Sequence, residues 1–255
     1  MSGGVTTGSD PRLEELRQRL IHVELKLDRL LGATAERASP DQRFGATTYA
    51  QGGEDLIILN IFARLGIARP AWLDIGAHHP WRISNTALLY ARGCRGVNVE
   101  ANPHLFEAFL RERPEDVNLN LGASDAEGSM TFHMIDRQSG RNTLDAAEAE
   151  RFVAAHAQFA ITERVEIPVT TAACIVERHC RGRFPDLLSL DVEGHELAVL
   201  RGIDWSRPGP VLICAEANDA DAETGLLGFL AARGYRRILV AGENSFLLRA
   251  DQPWP

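Results

Sequence analysis

The sequence predicts an α/β fold, in which helices cover both faces of a mostly parallel sheet, preceded by a separate N-terminal coiled-coil helix. Two observations lead to this prediction. From about residue 54 onward, helical and strand patterns alternate along the chain, which is typical of parallel strands joined by helices. Earlier, residues 10–31 carry apolar side chains at steps of three and four, which is typical of a narrow coiled-coil seam. A chain of 255 residues, 45% of them hydrophobic, can bury one substantial core, so we expect one folded domain over residues 47–255.

The N-terminal region is expected to form one helix between two irregular segments. Residues 1–9 are small and polar and are expected to be disordered. Asp10 and Pro11 suit the start of a helix, which should end at Leu31, before Gly32. Its apolar stripe consists of Leu13, Leu16, Leu20, Val23, Leu27 and Leu30. We expect this helix to join copies of the chain into a homo-oligomer. An amphipathic helix packed on its own domain is the alternative, because ~20 residues form only a marginal isolated coiled coil.

The elements of the folded domain follow a linker at residues 32–46. Helical spacing predicts helices over residues 54–65, 85–91 and 103–113, and further helices that begin near residues 171, 194 and 222. Short apolar runs predict strands at 71–75, 96–100, 117–121, 129–133, 165–169, 186–190 and 211–215, with a closing pair at 237–240 and 245–248. The charged, alanine-rich segment 136–163 is expected to be partly helical and to act as a lid.

The composition argues against several classes of function. The formal net charge is −8, so no overall positive charge attracts nucleic acid. The first residues lack the basic and apolar regions of a signal peptide, and no uncharged apolar run approaches ~18 residues, so no membrane span is expected. Four cysteines occur without a CxxC pair and are expected to be reduced thiols of a cytoplasmic protein: Cys94, Cys174, Cys180 and Cys214.

Acidic residues at the ends of the first two predicted strands indicate an adenosine cofactor. Asp74 lies before Gly76 and Ala77, which permit a tight turn, but the GxGxxG pattern of dinucleotide sites is missing. S-adenosylmethionine carries a sulfonium and an ammonium group, so an acidic residue there suits it. Glu100 ends the next strand, where a carboxylate can accept hydrogen bonds from both ribose hydroxyls.

The order of motifs resembles the FkbM family of methyltransferases over roughly residues 47–218. The matching stretches are YAQGGEDL at 49–56, DIGA at 74–77, SNT at 84–86, EANP at 100–103, LGASD at 121–125, DVEGHE at 191–196 and LRG at 200–202. The loop departs from the family's DIGANDG at residues 78–80, which read HHP. The resemblance implies a class I, Rossmann-like methyltransferase that O-methylates a hydroxyl of a sugar or a natural-product scaffold. It also implies that S-adenosylmethionine contacts Gln51, Asp74, Gly76, Ala77, Asn85, Glu100, Ala123 and Ser124.

Two mechanisms are open for the loss of the hydroxyl proton. In the first, His195 or a carboxylate of Asp191 or Glu193 acts as general base. In the second, a divalent metal held by Asp191 and Glu216 lowers the hydroxyl pKa, with His78, His79 or Asn218 as further ligands. A methyltransferase for nitrogen or carboxyl groups, a nicotinamide enzyme, and a non-catalytic coiled-coil scaffold are the alternative functions.

Overall fold

The structure is a computed structural model that describes residues 48–217 and 225–254. The predicted coiled-coil helix, the linker and Asn218 lie outside these residues, so those expectations stay predictions. Within the described residues no helix is both long and apolar enough to cross a membrane. All four cysteines are free thiols in the structure.

A seven-stranded sheet forms the centre of the fold, in the order β3-β2-β1-β7-β8-β10-β9. Its strands are β1 (Trp72–Ile75), β2 (Gly96–Val99), β3 (Val117–Leu119), β7 (Leu187–Leu190), β8 (Leu212–Glu216), β9 (Tyr235–Ala241) and β10 (Asn244–Arg249). The first five of these run parallel, whereas β10 runs antiparallel to both β8 and β9. This arrangement confirms the predicted α/β class with a mostly parallel sheet.

Alternate residues of each central strand enter two different hydrophobic cores, one on each face of the sheet. Leu73 and Leu188 belong to one core, while their neighbours Trp72 and Leu187 belong to the other. The second face is covered by α1 (Glu54–Arg64) and α2 (Ala87–Ala91), and the first by α5 (Ala172–His179), α6 (Glu196–Arg201) and α7 (Leu226–Ala231). Helix α3 (Pro103–Glu112) follows β2. The central strands are therefore buried on both sides, which explains why they read as continuous apolar runs.

A second, three-stranded sheet lies apart from the main one, in the order β4-β6-β5. It consists of β4 (Gly122–Ser124), β5 (Gly128–Met134) and β6 (Glu163–Thr171), and α4 (Ala146–Ala155) lies between β5 and β6 in the chain. The strand predicted at 117–121 ends at Leu119, because the chain turns there from β3 into this smaller sheet. A third core of five buried side chains packs on it: Phe132, Met134, Leu144, Ile167 and Val169.

The helix predicted from residue 194 begins two residues later, at Glu196. Glu193 and Gly194 have φ angles of 52° and 93°, which lie in the left-handed region and cannot continue a right-handed helix. Asp191 and Glu193 therefore lie on a loop between β7 and α6 rather than on a helix.

Candidate functional site

A pocket of about 410 Å³ opens beyond the carboxyl ends of β1, β2 and β7. Ligands of open parallel sheets bind at this edge. Most of the residues that the sequence singles out line it: Gln51, Asp74, Gly76, Ala77, His78, Asn85, Glu100, Ala123, Asp191 and Glu193. The pocket lining does not include Ser124, His79, His195 or Glu216.

The turn at Gly76 brings the ends of three strands together. Gly76 has a φ of 81°, and a Cβ atom there would lie 1.7 Å from the carbonyl oxygen of Asp191. The backbone N–H groups of Gly76 and Ala77 both donate to the carbonyl oxygen of Val99, at 3.0 and 3.1 Å. The N–H of Asp191 donates to the carbonyl oxygen of Ile75 at 3.1 Å. Only glycine permits this close approach of the β1 turn to the backbone after β7.

Glu100 is held rigidly where β2 ends. Its two carboxylate oxygens accept backbone N–H groups, one from His78 at 2.6 Å and one from Asn102 at 2.7 Å. Burial raises the pKa of Glu100 to about 7, although these hydrogen bonds favour the ionised form. Each carboxylate oxygen keeps a free lone pair, so Glu100 can still accept hydroxyl groups from the pocket.

Asp74 lies within β1 and belongs to a buried polar network. Its Oδ2 accepts the hydroxyl of Thr86 at 2.7 Å, and that hydroxyl oxygen accepts Nη1 of Arg113 at 3.0 Å. Arg113 is fully buried and pairs with Asp116 at 2.8 Å. Burial raises the pKa of Asp74, with hydrogen bonds from Thr86 and Ser189 opposing the rise. Asp74 thus supports the floor of the pocket as well as lining it.

Three carboxylates converge across β1 from Glu100, and two of them, Asp191 and Glu193, line the pocket. Ligand atoms of Asp191, Glu193 and Glu216 all lie within 4.8 Å of one another. We call these three residues the acidic cluster. Burial, and then repulsion from Glu193 and Glu216, raises the pKa of Asp191 well above its usual value. Burial likewise raises the pKa of Glu216 to about 7. Glu193 accepts a hydrogen bond from Nη1 of Arg141 at 2.8 Å.

The three candidate histidines have different environments. Nε2 of His195 lies 3.0 Å from the hydroxyl of Ser124, and burial lowers the pKa of this imidazole. His79 accepts the backbone N–H groups of Trp81 and Arg82 on Nδ1, at 3.1 and 3.2 Å. His78 lines the pocket, and burial lowers its pKa to about 4, so it is neutral at physiological pH. Neither His79 nor His195 is brought to the acidic cluster.

The segment between β5 and α4 forms one wall of the pocket. No sequence motif predicted which of its residues line the pocket. Residues 139–144 line the pocket, together with the apolar side chain of Phe132. Thr143 donates its hydroxyl to the carbonyl oxygen of Glu193 at 2.8 Å, and Arg141 pairs with the Glu193 side chain. The only signal was the charged composition of segment 136–163, which suggested a lid without naming these residues.

A comparison with protein-family models identifies one family. The family model described as "Methyltransferase FkbM domain" matches residues 74–237. No curated protein matches the sequence. Among solved structures, the chain is similar to methyltransferase FkbM from Methylobacillus flagellatus KT, with 14% identity and a TM-score of 0.42. The similarity covers 71% of this chain and 43% of that chain, so this chain spans less than half the length of that protein.

Proposed function

This chain belongs to the FkbM methyltransferase family, and from that premise we propose that it transfers the methyl group of S-adenosylmethionine to a hydroxyl. The acceptor in this proposal is a sugar, either in a glycan or linked to a nucleotide, or a natural-product scaffold.

The observation that carries the proposal is a single pocket with carboxylates on both sides of β1. Glu100 follows β2 and Asp191 follows β7, and these two strands flank β1 in the sheet. Two strand spacings, about 10 Å, separate their backbones. In the proposal the ribose hydroxyls donate to Glu100 and the adenine lies against the apolar side chains of Leu105, Leu121 and Phe132. The cationic methionine end then extends across the Gly76 turn towards Asp191.

Methyl transfer itself requires a positioned acceptor oxygen and a route for its proton. The oxygen attacks the methyl carbon in line with sulfur, so an O–C bond forms while the S–C bond breaks. Sulfur keeps the bonding electron pair and S-adenosylhomocysteine leaves. Asp191 and Glu193 line the pocket and His195 does not, so the proton departs towards the acidic cluster in this proposal. Holding both reactants in this geometry supplies much of the rate acceleration expected of such an enzyme.

The charge of the acidic cluster favours a hydroxyl over the other acceptor classes. A carboxylate acceptor would meet Asp191 and Glu193, so like-charge repulsion disfavours it. A protonated amine would be attracted, but the cluster would hold it protonated and without the lone pair that attacks the methyl group. A neutral hydroxyl has neither difficulty.

The test is incubation of the full chain with methyl-labelled S-adenosylmethionine and a panel of sugars, nucleotide-linked sugars, hydroxylated aromatics, amines and carboxylic acids. Mass spectrometry should find label in a hydroxylated acceptor, in a form that resists mild alkali, as an ether does and a methyl ester does not. Glu107→Gln, an exposed change on α3, serves as the matched control for Asp191→Asn. Transfer only to amines or carboxylates would overturn the proposed specificity.

A further inference from the structure

The acidic cluster has the dimensions of a cation site. Its members come from the end of β7, the following loop and the end of β8, so the sheet fixes two of the three positions. Two atoms bound to one ion can be no further apart than twice the metal–oxygen distance, about 5 Å for Ca²⁺ and about 4 Å for Mg²⁺. The separations of up to 4.8 Å therefore lie within this pairwise limit for a calcium-sized ion. A smaller ion requires a contraction of less than about 1 Å.

One member of the cluster carries a buried oxygen without a hydrogen-bond partner among the described residues. Oδ1 of Asp191 is fully buried, and no hydrogen-bond donor among the described residues reaches it. Buried polar atoms without partners are rare and costly, because burial removes their hydrogen bonds to water. The neighbouring carboxylates of Glu193 and Glu216 repel Asp191 and cannot satisfy it as anions. An unpartnered carboxylate oxygen among two further carboxylates is an arrangement that a cation completes.

Among the residues that the structure describes, the positive charge at the cluster comes from Arg141, which is partly exposed. Nη1 of Arg141 lies 2.8 Å from Glu193, and Nη2 lies 3.7 Å from Glu243. The Arg141 side chain is 40% exposed, so it can withdraw from Glu193 into solvent at little cost. We propose that Asp191, Glu193 and Glu216 bind a divalent cation that prefers oxygen ligands, Mg²⁺, Mn²⁺ or Ca²⁺, in competition with Arg141.

This inference deepens the proposed function, and its catalytic consequence rests on that function. A cation with three protein ligands keeps open positions, one of which an acceptor hydroxyl can take. Coordination to such a cation would lower the pKa of the hydroxyl. Neither His78 nor His79 is needed as a ligand, in contrast to the sequence prediction, because Glu193 occupies the third position.

The binding itself is measurable without cofactor or acceptor. Calorimetric titration of the full chain with Mn²⁺ and then Ca²⁺ should show one bound ion. Asp191→Asn and Glu216→Gln should each weaken binding by at least about tenfold, since even the loss of a ligand's own partner costs roughly 10–100-fold. Glu243→Gln is the matched control, because this exposed carboxylate neighbours Arg141 outside the cluster, and it should leave Mn²⁺ affinity within about twofold. Arg141→Gln should tighten binding by removing the competing charge.

The outcomes separate this inference from the proposed function. Absence of Mn²⁺ and Ca²⁺ binding at millimolar concentrations, or equal affinity in wild type and Asp191→Asn, would overturn the cation site. Unfolding temperatures measured on the same samples show that each variant is folded. If the protein binds S-adenosylhomocysteine but neither ion, the proposed methyltransferase function is supported and the cation site is contradicted. If the protein binds an ion but not S-adenosylhomocysteine, the cation site is supported and the proposed function is contradicted.

Discussion

Replacing Gly76 by alanine tests whether the contact between the β1 turn and the Asp191 backbone builds the site. The new Cβ would lie 1.7 Å from the carbonyl oxygen of Asp191. One of the two backbones must therefore move by more than about 1 Å to restore ordinary contact. The φ of 81° adds left-handed strain of about 1–2 kcal/mol, and the overlap adds about 1–3 kcal/mol more. We expect a total loss of about 2–5 kcal/mol in the free energy of unfolding, together with a large loss of S-adenosylhomocysteine affinity.

Gly66→Ala is the matched control for that substitution. Gly66 follows α1 with a φ of 71°, and no atom lies within 4 Å of the position its Cβ would take. The control therefore carries the left-handed strain without the overlap, and should lose only about 1–2 kcal/mol while binding S-adenosylhomocysteine normally. Urea unfolding and calorimetric titration measure both quantities. Equal stability losses for the two variants, with cofactor affinity unchanged, would refute the role assigned to Gly76.

Four further predictions concern the charges of the site and the N-terminal helix. Asp191→Asn should raise the unfolding temperature of the ligand-free protein, because it removes one of three mutually repelling carboxylates, the one whose Oδ1 is buried without a partner, yet it should abolish methyl transfer. A tenfold or greater loss of cofactor affinity, about 1.4 kcal/mol, would show that Asp191 has another role. S-adenosylhomocysteine affinity should fall about tenfold from about pH 8 to about pH 6, because Glu100, whose pKa is raised to about 7, is ionised above that pH and protonated below it. A Glu100→Gln variant should show a shallower profile over the same range. His195→Asn should keep kcat within about tenfold of wild type, whereas a general base would cost about 10²–10⁴-fold. Deleting residues 1–31 should reduce the mass of the oligomer in light scattering without abolishing cofactor binding; an unchanged mass would argue against the coiled-coil interpretation.

The parts of the fold that local sequence pattern determines were predictable. A strand buried on both faces is mostly apolar, so β1, β7 and β8 were recognisable as short apolar runs. Once the strands were located, the acidic residues near their ends could be identified as candidate site residues. The Gly76 turn was recognisable because it needs glycine. These features depend on residues that are close together in the chain, so they can be predicted from a single sequence.

Other parts depend on residues that are distant in the chain, and the pattern could not reveal them. Arg141 and Glu193 are 52 positions apart, and no periodicity links them. The separate sheet of β4, β5 and β6 reads like any other set of strands, because strand pairing is set by tertiary contacts. His195 shares a motif with Asp191 and Glu193, but the left-handed residues before α6 turn its side chain towards Ser124.

Calorimetric titration of the 255-residue chain with S-adenosylhomocysteine shows whether the pocket is the cofactor site. We expect one binding site with micromolar affinity, and weaker binding by Glu100→Gln than by the exposed control Glu107→Gln. The ligand carries the adenosine and amino-acid portions that the pocket is proposed to hold, and it has no methyl group to transfer. Absence of binding at millimolar concentrations, or equal affinity in the two variants, would contradict the assignment of the pocket as the cofactor site.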